Sequence, residues 1–213
     1  MASAPRSAPA QRPPHPGQDL SAFPYETSTA DTKFRAHGAA FSAWYFSSST
    51  NGRFNLKSPR GTNCFADSAR TAIREALGEL VSDGQPIFAD DAAAVRVSSI
   101  IPPAGKKYAN IADGDAVLHH VNREMCAGED YPVYQEWATA FDDSGFDGVR
   151  YASRFTTDPG PNSWALFGPE NEDKTKAHAV RKGDEIDGIT ACINAGITVL
   201  YRGPKATFRI VPL

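Results

Sequence analysis

The chain has 213 residues, 41% hydrophobic and 22% charged, with a formal net charge of −3. That balance supports one sizeable core and lacks the basic surplus of a nucleic-acid-binding domain, so no direct nucleic-acid partner is expected. Three widely spaced cysteines (Cys64, Cys126, Cys192) form neither zinc nor disulfide patterns, and no run reaches the ~18 apolar residues of a membrane span, so no membrane partner and a reducing cytoplasm are expected.

The opening MASAPRSAPAQRPPHPGQDL holds five prolines and few large apolar residues. It buries too little to offset its ordering entropy, so residues 1–18 are expected to form a disordered tail and residues 19–213 a single domain. TKFRAH (32–37) reads as a strand, with Arg35 and His37 on one face and Phe34 and Ala36 on the other. A dense aromatic run, AFSAWYF, leads to the polar turn SSSTNG. TNCFA is a short strand, and Asp67 is the expected N-cap of the helix that follows. In that helix, Ala69, Ala72, Ile73, Ala76, Leu77 and Leu80 recur at core-facing spacing. Glu75 points roughly 130° from the middle of the stripe at about 100° per residue. Solvent is the ordinary setting for such a glutamate; the alternative is a cleft beside the core.

AAAVRVSSII reads as a strand closed by Pro102 and Pro103. GDAVLHHVNREM is expected to be a helix, as is PVYQEWATAFDDSG, which ends at Gly145 as a C′ residue. Adjacent helical residues diverge by about 100°, so His119 and His120 cannot readily share a metal. GVRYAS and SWALF are expected strands around a Pro/Gly loop, and GPENEDKTK is a polar loop. A helix near residues 186–195, stopped by Gly196, precedes the strands ITVLY and ATFRIV. Strands of mixed context with a few helices indicate an α+β fold built on a mixed sheet.

Glycine-rich nucleotide loops, H-E-x-x-H and G-x-S-x-G are absent from the sequence. What remains is a scattered set: Arg35, Arg53, Glu75, Arg150, Ser153 and Arg154. Guanidinium forks suit phosphate oxygens, a carboxylate can steady an oxocarbenium-like sugar, and a hydroxyl can bond a phosphate or an amide. Spacing alone leaves each of these open to a structural role.

KFRAHGAAFSAWYFSSSTNGRFNLKSPRGTNCFADSARTAIREALG resembles the first half of a RES domain, a family named for its Arg, Glu and Ser. DGVRYASRFTTDPGPNSWALFG resembles the second block, and GITVLYRGP is similar to RES endings. The resemblance runs from about residue 32 to residue 204. It implies an ADP-ribosyltransferase-like fold and a bacterial toxin of a toxin–antitoxin pair that degrades NAD+ by phosphorolysis or hydrolysis. Carried over by motif, the catalytic residues are Arg35, Glu75 and Ser153, with Arg53 of GRF binding substrate. No metal or resident cofactor is implied; NAD+ is the substrate, with inorganic phosphate as a candidate co-substrate. The implied protein partner is an antitoxin covering the site, and the oligomeric state stays open. Family members commonly carry Tyr where this chain has Cys64, so Trp44 or Tyr45 is expected to supply any nicotinamide-stacking ring.

Two other readings stand beside it. A protein ADP-ribosyltransferase breaks the same bond, but its arginine-specific branch uses an E-x-E pair, and the residue two before Glu75 is Ile73. The Cys64 departure also fits a catalytically inactive domain that binds nucleotide or a partner.

Overall fold

In the computed structural model, which describes residues 11–81, 85–157, 162–172 and 184–202, period-two alternation and β-branched or aromatic runs give the strands. They are β1 (Tyr25–Thr27), β2 (Lys33–Gly38), β3 (Tyr45–Phe46), β4 (Arg60–Ala66), β5 (Ile87–Phe88), β6 (Val95–Ile100) and β7 (Lys107–Asn110). The later ones are β8 (Gly148–Tyr151), β9 (Ser163–Pro169), β10 (Asn171–Glu172), β11 (Glu185–Asp187) and β12 (Val199–Leu200). The helices are α1 (Ala69–Val81), α2 (Ala89–Ala93), α3 (Glu124–Ala127), α4 (Tyr131–Asp143) and α5 (Gly188–Asn194).

Eight strands form one sheet in the order β1-β7-β8-β9-β4-β2-β6-β11. All its ladders are antiparallel except β7·β8, whose parallel pairing requires the long crossover that carries α3 and α4. The fold is α+β with a mixed sheet, as expected. No helix among the described residues is long and apolar enough to cross a membrane.

One core cluster gathers Trp137, Phe141 and Tyr134 of α4 with Val149, Tyr151 and Phe167 of the sheet. A second gathers Ile73 and Leu77 of α1 with Val97 and Cys192. Cys64 packs against the first and Ala66 lies in the second; residues two apart on a strand share a face, so both helical layers cover the same side of the sheet. A third, aromatic cluster with Trp44, Phe65, Tyr108 and Trp164 lies on the other.

Burying Ile73 and Leu77 stabilises by roughly 1.5–3 kcal/mol each, more than propensity separates ordinary residues. Packing therefore sets the rotation of α1, and with it the heading of Glu75. The buried stripe is narrower than the sequence predicts: Ala76 borders a hollow and Leu80 is 54% exposed.

Four other expectations change. Ser68, not Asp67, caps α1, its Oγ accepting from the Thr71 N–H at 3.1 Å. GDAVLHHVNREM splits into a 3₁₀ helix (Gly114–His119) and α3 because His120 adopts φ 65°, a left-handed turn that ends the first piece. Ile186 belongs to β11, so α5 is shorter than the pattern implies. The expected disorder of residues 1–18 fails from Gln11 onward. Gln11 is buried, its Nε2 donating to the His120 carbonyl (3.0 Å) and its Oε1 accepting from the Asn122 N–H (2.9 Å). Trp137 Nε1 donates to the Arg12 carbonyl at 2.7 Å. Polar groups left open by short helices hold this segment, so its poverty in apolar residues does not decide its state. Residues 1–10 and the ATFRIV stretch lie outside the described residues.

Freed from capping, Asp67 accepts from Lys33 Nζ (2.8 Å), Arg150 Nη2 (2.7 Å) and Trp164 Nε1 (2.8 Å). Burial pushes its carboxyl up, but the bonds from Lys33 and Trp164 and the charge of Arg150 outweigh that and hold it below 3.8. A depressed carboxyl stabilises the fold above its unfolded value, and that contribution is lost as pH falls through the folded one. Asp67→Asn should cost about 2–3 kcal/mol at neutral pH and should flatten the acid limb of stability below about pH 4, read by urea denaturation across pH.

Candidate functional site

β2 and β4 share a single register pair, Phe34↔Ala66. Beyond it Arg35 spans the gap. Its Nη1 donates to the Cys64 carbonyl and its Nη2 to the Tyr45 carbonyl, the latter at 3.2 Å. The side chain is buried, and its Nε finds no hydrogen-bond partner among the described residues. Burial lowers the affinity of this guanidinium for its proton, yet an arginine remains charged at neutral pH.

A hollow of about 200 Å³ opens beside this gap, between the α1 and α4 layers. Arg35, Arg53, Cys64 and Glu75 all line it, with Phe54, Phe65, Tyr131, Tyr151 and Phe155 as its aromatic wall. Glu75 enters from the second turn of α1, so leaving the apolar stripe brings it to a cleft rather than to open water. Its Oε2 accepts from Tyr151 Oη at 3.2 Å, and its Oε1 accepts from Ser153 Oγ. Ser153 Oγ in turn accepts from the Phe155 N–H at 3.1 Å, and the Ser153 N–H donates to Asn162 Oδ1 at 2.9 Å. The one proton of the serine hydroxyl is therefore committed to Glu75. Burial, then the charge of Glu75, raises the Tyr151 phenol well above 10; it stays a donor at neutral pH.

Arg53 reaches the hollow from the loop after SSSTNG. Its Nη1 donates to the Cys126 carbonyl, and its Cζ sits 5.8 Å from the Tyr131 and Tyr134 rings. Its Nε is buried and finds no hydrogen-bond partner among the described residues. Gln135 Nε2 holds this loop by donating to the carbonyls of Thr50 and Gly52, both at 2.9 Å. A Cβ on Gly52 would meet the Asn55 side chain at 2.4 Å, so a larger residue there would displace Asn55 from its bonds to Ser47 and Ser49.

The structure thus brings together Arg35, Arg53, Cys64, Glu75 and Ser153. It leaves Trp44 and Tyr45 outside. Trp44 is fully buried in the aromatic cluster on the far face, and Tyr45 packs in a tilted contact with Phe41, ring centroids 4.7 Å apart. The aromatic surface near Glu75 comes instead from Tyr131 and Phe155, which also line an outer hollow of about 750 Å³ rimmed by Arg154, Glu79 and Glu129. Phe155 lies over α1 at Gly78, where a Cβ would meet its ring at 2.3 Å. Arg150 points the other way, stacked 3.9 Å from Trp164 and paired with Asp67. Tyr151 and the Tyr131–Phe155 mouth were not legible as site residues. The Y-x-S spacing of Tyr151 and Ser153, two residues apart on an extended chain, is the signal that points to a shared face.

Burial raises the Cys64 thiol from 9.0 to about 11. A rise of that size leaves roughly a hundredfold less thiolate than an ordinary cysteine. Cys64 should alkylate about a hundredfold more slowly than a free thiol at pH 8, with normal reactivity returning in denaturant; peptide mass mapping after iodoacetamide reads both.

The RES domain family model matches residues 20–185. Comparison with curated protein sequences gives no match. A chain from the "Crystal structure of the M.tuberculosis MbcT-MbcA toxin-antitoxin complex" is similar at a TM-score of 0.58 and 13% sequence identity, covering 80% of this chain and 91% of that chain. At that identity the likeness speaks for the fold. The family model takes in the split between β2 and β4, the α1 carboxylate and the serine beyond β8, and the chain belongs to the RES domain family.

Proposed function

We propose that this chain is a toxin-like enzyme that degrades NAD+ by breaking the bond between nicotinamide and ribose, with phosphate or water as acceptor. The observation that carries this reading is the content of one hollow: two guanidinium groups, each with a buried Nε that finds no hydrogen-bond partner among the described residues, facing a carboxylate held by two hydroxyls. Guanidinium N–H groups suit oxyanions, so Arg35 and Arg53 take the pyrophosphate or an attacking phosphate. Glu75 meets the ribose. When the C–N bond breaks, its electron pair goes to the ring nitrogen, which neutralises the pyridinium and lets nicotinamide leave without a proton from the protein. Positive charge grows on the anomeric carbon, where a carboxylate about 4 Å away supplies about 4 kcal/mol at an effective dielectric near 20, or about 10³ in rate. Phosphate then gives ADP-ribose 1″-phosphate; water gives ADP-ribose and a proton.

Ser153 acts through Glu75 rather than on the phosphate, because its only proton is already given to that carboxylate. The hollow of about 200 Å³ is below the ~300–1,000 Å³ of sites that enclose a whole drug-sized ligand. It suits the nicotinamide riboside end, with the ADP half running out past Tyr131 and Phe155 over the outer hollow. Those two rings take the stacking role first expected of Trp44 or Tyr45. The toxin–antitoxin setting of the similar structure supports a protein antitoxin as the partner that closes this mouth.

An arginine-specific transferase reading lacks its second acid, since the residue two before Glu75 is Ile73, which is buried in the α1 core. Purified protein should release nicotinamide from NAD+ without an acceptor protein, and Glu75→Gln should lower that rate about 10²- to 10³-fold with an unchanged circular dichroism spectrum. Omitting and restoring phosphate separates phosphorolysis from hydrolysis. Nicotinamide release only with an acceptor protein, which gains the mass of ADP-ribose, would favour the transferase. NAD+ bound but left whole would favour an inactive domain.

A further inference from the structure

We propose that Tyr151 is a positioning residue of this site, one that acts by orienting the Glu75 carboxylate; this rests on the NAD+-degrading reading. Glu75 and its partners come from different layers. The glutamate stands on α1, whereas Tyr151 and Ser153 stand at and just beyond the end of β8. A glutamate side chain has three rotatable torsions, and these two hydroxyls come from outside its helix. Here each carboxylate oxygen accepts one hydroxyl, Tyr151 Oη at 3.2 Å on Oε2 and Ser153 Oγ on Oε1. Two anchors on two oxygens define the carboxylate plane, and a carboxylate offers about four acceptor sites. The remaining ones are left for the ribose and its cationic carbon.

The anchor is itself held. Tyr151 is 4% exposed, packed at 5.1 Å between ring centroids on Phe54, and paired in register with Ser163 of β9. Its carbonyl accepts from the Asn162 N–H at 3.0 Å, and the Asn162 side chain accepts from the Ser153 N–H. One short unit of β8 and β9 thus sets both hydroxyls at once. Because the phenol remains protonated and buried, it acts as a donor rather than as an acid or base. Removing its oxygen should leave the packing of the ring intact.

The test compares wild type, Tyr151→Phe, Glu75→Gln and the double variant by nicotinamide release. Tyr151→Phe should lower kcat about ten- to a hundredfold, the range for one hydrogen bond to a charged group, with KM within about twofold. In the Glu75→Gln background the same change should cost less than about twofold, because its effect runs through the carboxylate. Wild-type kcat in Tyr151→Phe, or equal losses in both backgrounds, would overturn the inference; equal losses would mark Tyr151 as merely structural. A second measurement does not need turnover. In protein labelled with ¹³C at the tyrosine Cζ, the resonance missing from Tyr151→Phe should ionise at lower pH in Glu75→Gln than in wild type. An unmoved titration overturns the contact itself. A moved titration in a wild type that leaves NAD+ whole would instead sink the proposed reaction, and with it the catalytic purpose of the clamp.

Discussion

Where β2 parts from β4, a buried guanidinium takes over from the hydrogen-bond ladder. Arg35 donates hydrogen bonds to main-chain carbonyls on two neighbouring segments, at Cys64 and at Tyr45. An apolar side chain there would leave those carbonyls without this donor, and unsatisfied buried backbone groups are rare because they are costly. Burying a charge costs several kcal/mol per ion, and the charge-assisted bonds offset part of that. The gap that Arg35 props open is the same gap that becomes the hollow. One side chain therefore both satisfies the split sheet and lines the hollow, and its Nε finds no hydrogen-bond partner among the described residues.

Around that prop the site divides into a fixed floor and a looser rim. Arg35, Tyr151 and Ser153 are all buried, and the Glu75 carboxylate is tied at both oxygens. Such a floor is organised before substrate arrives, which is where electrostatic stabilisation of a growing charge is most effective. The rim is different. Arg154 lies 3.7 Å from Glu79 and 3.8 Å from Glu129, acids whose side chains are 77% and 91% exposed, and exposed pairs of this kind contribute little. The mouth can thus rearrange while the carboxylate keeps its place.

Much of this was legible in the residues because it depends on local periodicity. β2, β4, α1, α4, β8 and β9 all arise from patterns within a dozen residues, and Glu75 stood out by leaving one of them. The errors arise where distant groups decide. Trp44 and Tyr45 looked available for stacking because an aromatic run carries no sign of which face it will meet; the far side of the sheet claimed Trp44. GDAVLHHVNREM has helical spacing throughout, yet the carbonyls of His119 and His120 accept hydrogen bonds from Gln18 and Gln11, which suits a broken helix. Tyr151 reads as one more inward-facing strand residue until the helix bearing Glu75 is laid across it. Asp67 had the right type and place for a cap, but three donors from across the sheet outbid the single amide.

The docked segment at Gln11 and Arg12 carries a consequence for the order of assembly. The carbonyl of Arg12 meets the indole of Trp137 across 125 positions of chain, so this stretch must wait for α4 to emerge and pack. Closing so long an interval is slow and unrewarded until the core exists. The strap is then a final fastening rather than a nucleus, and late-forming contacts of that kind act on the rate of opening far more than on the rate of folding. Its worth to the molecule is persistence.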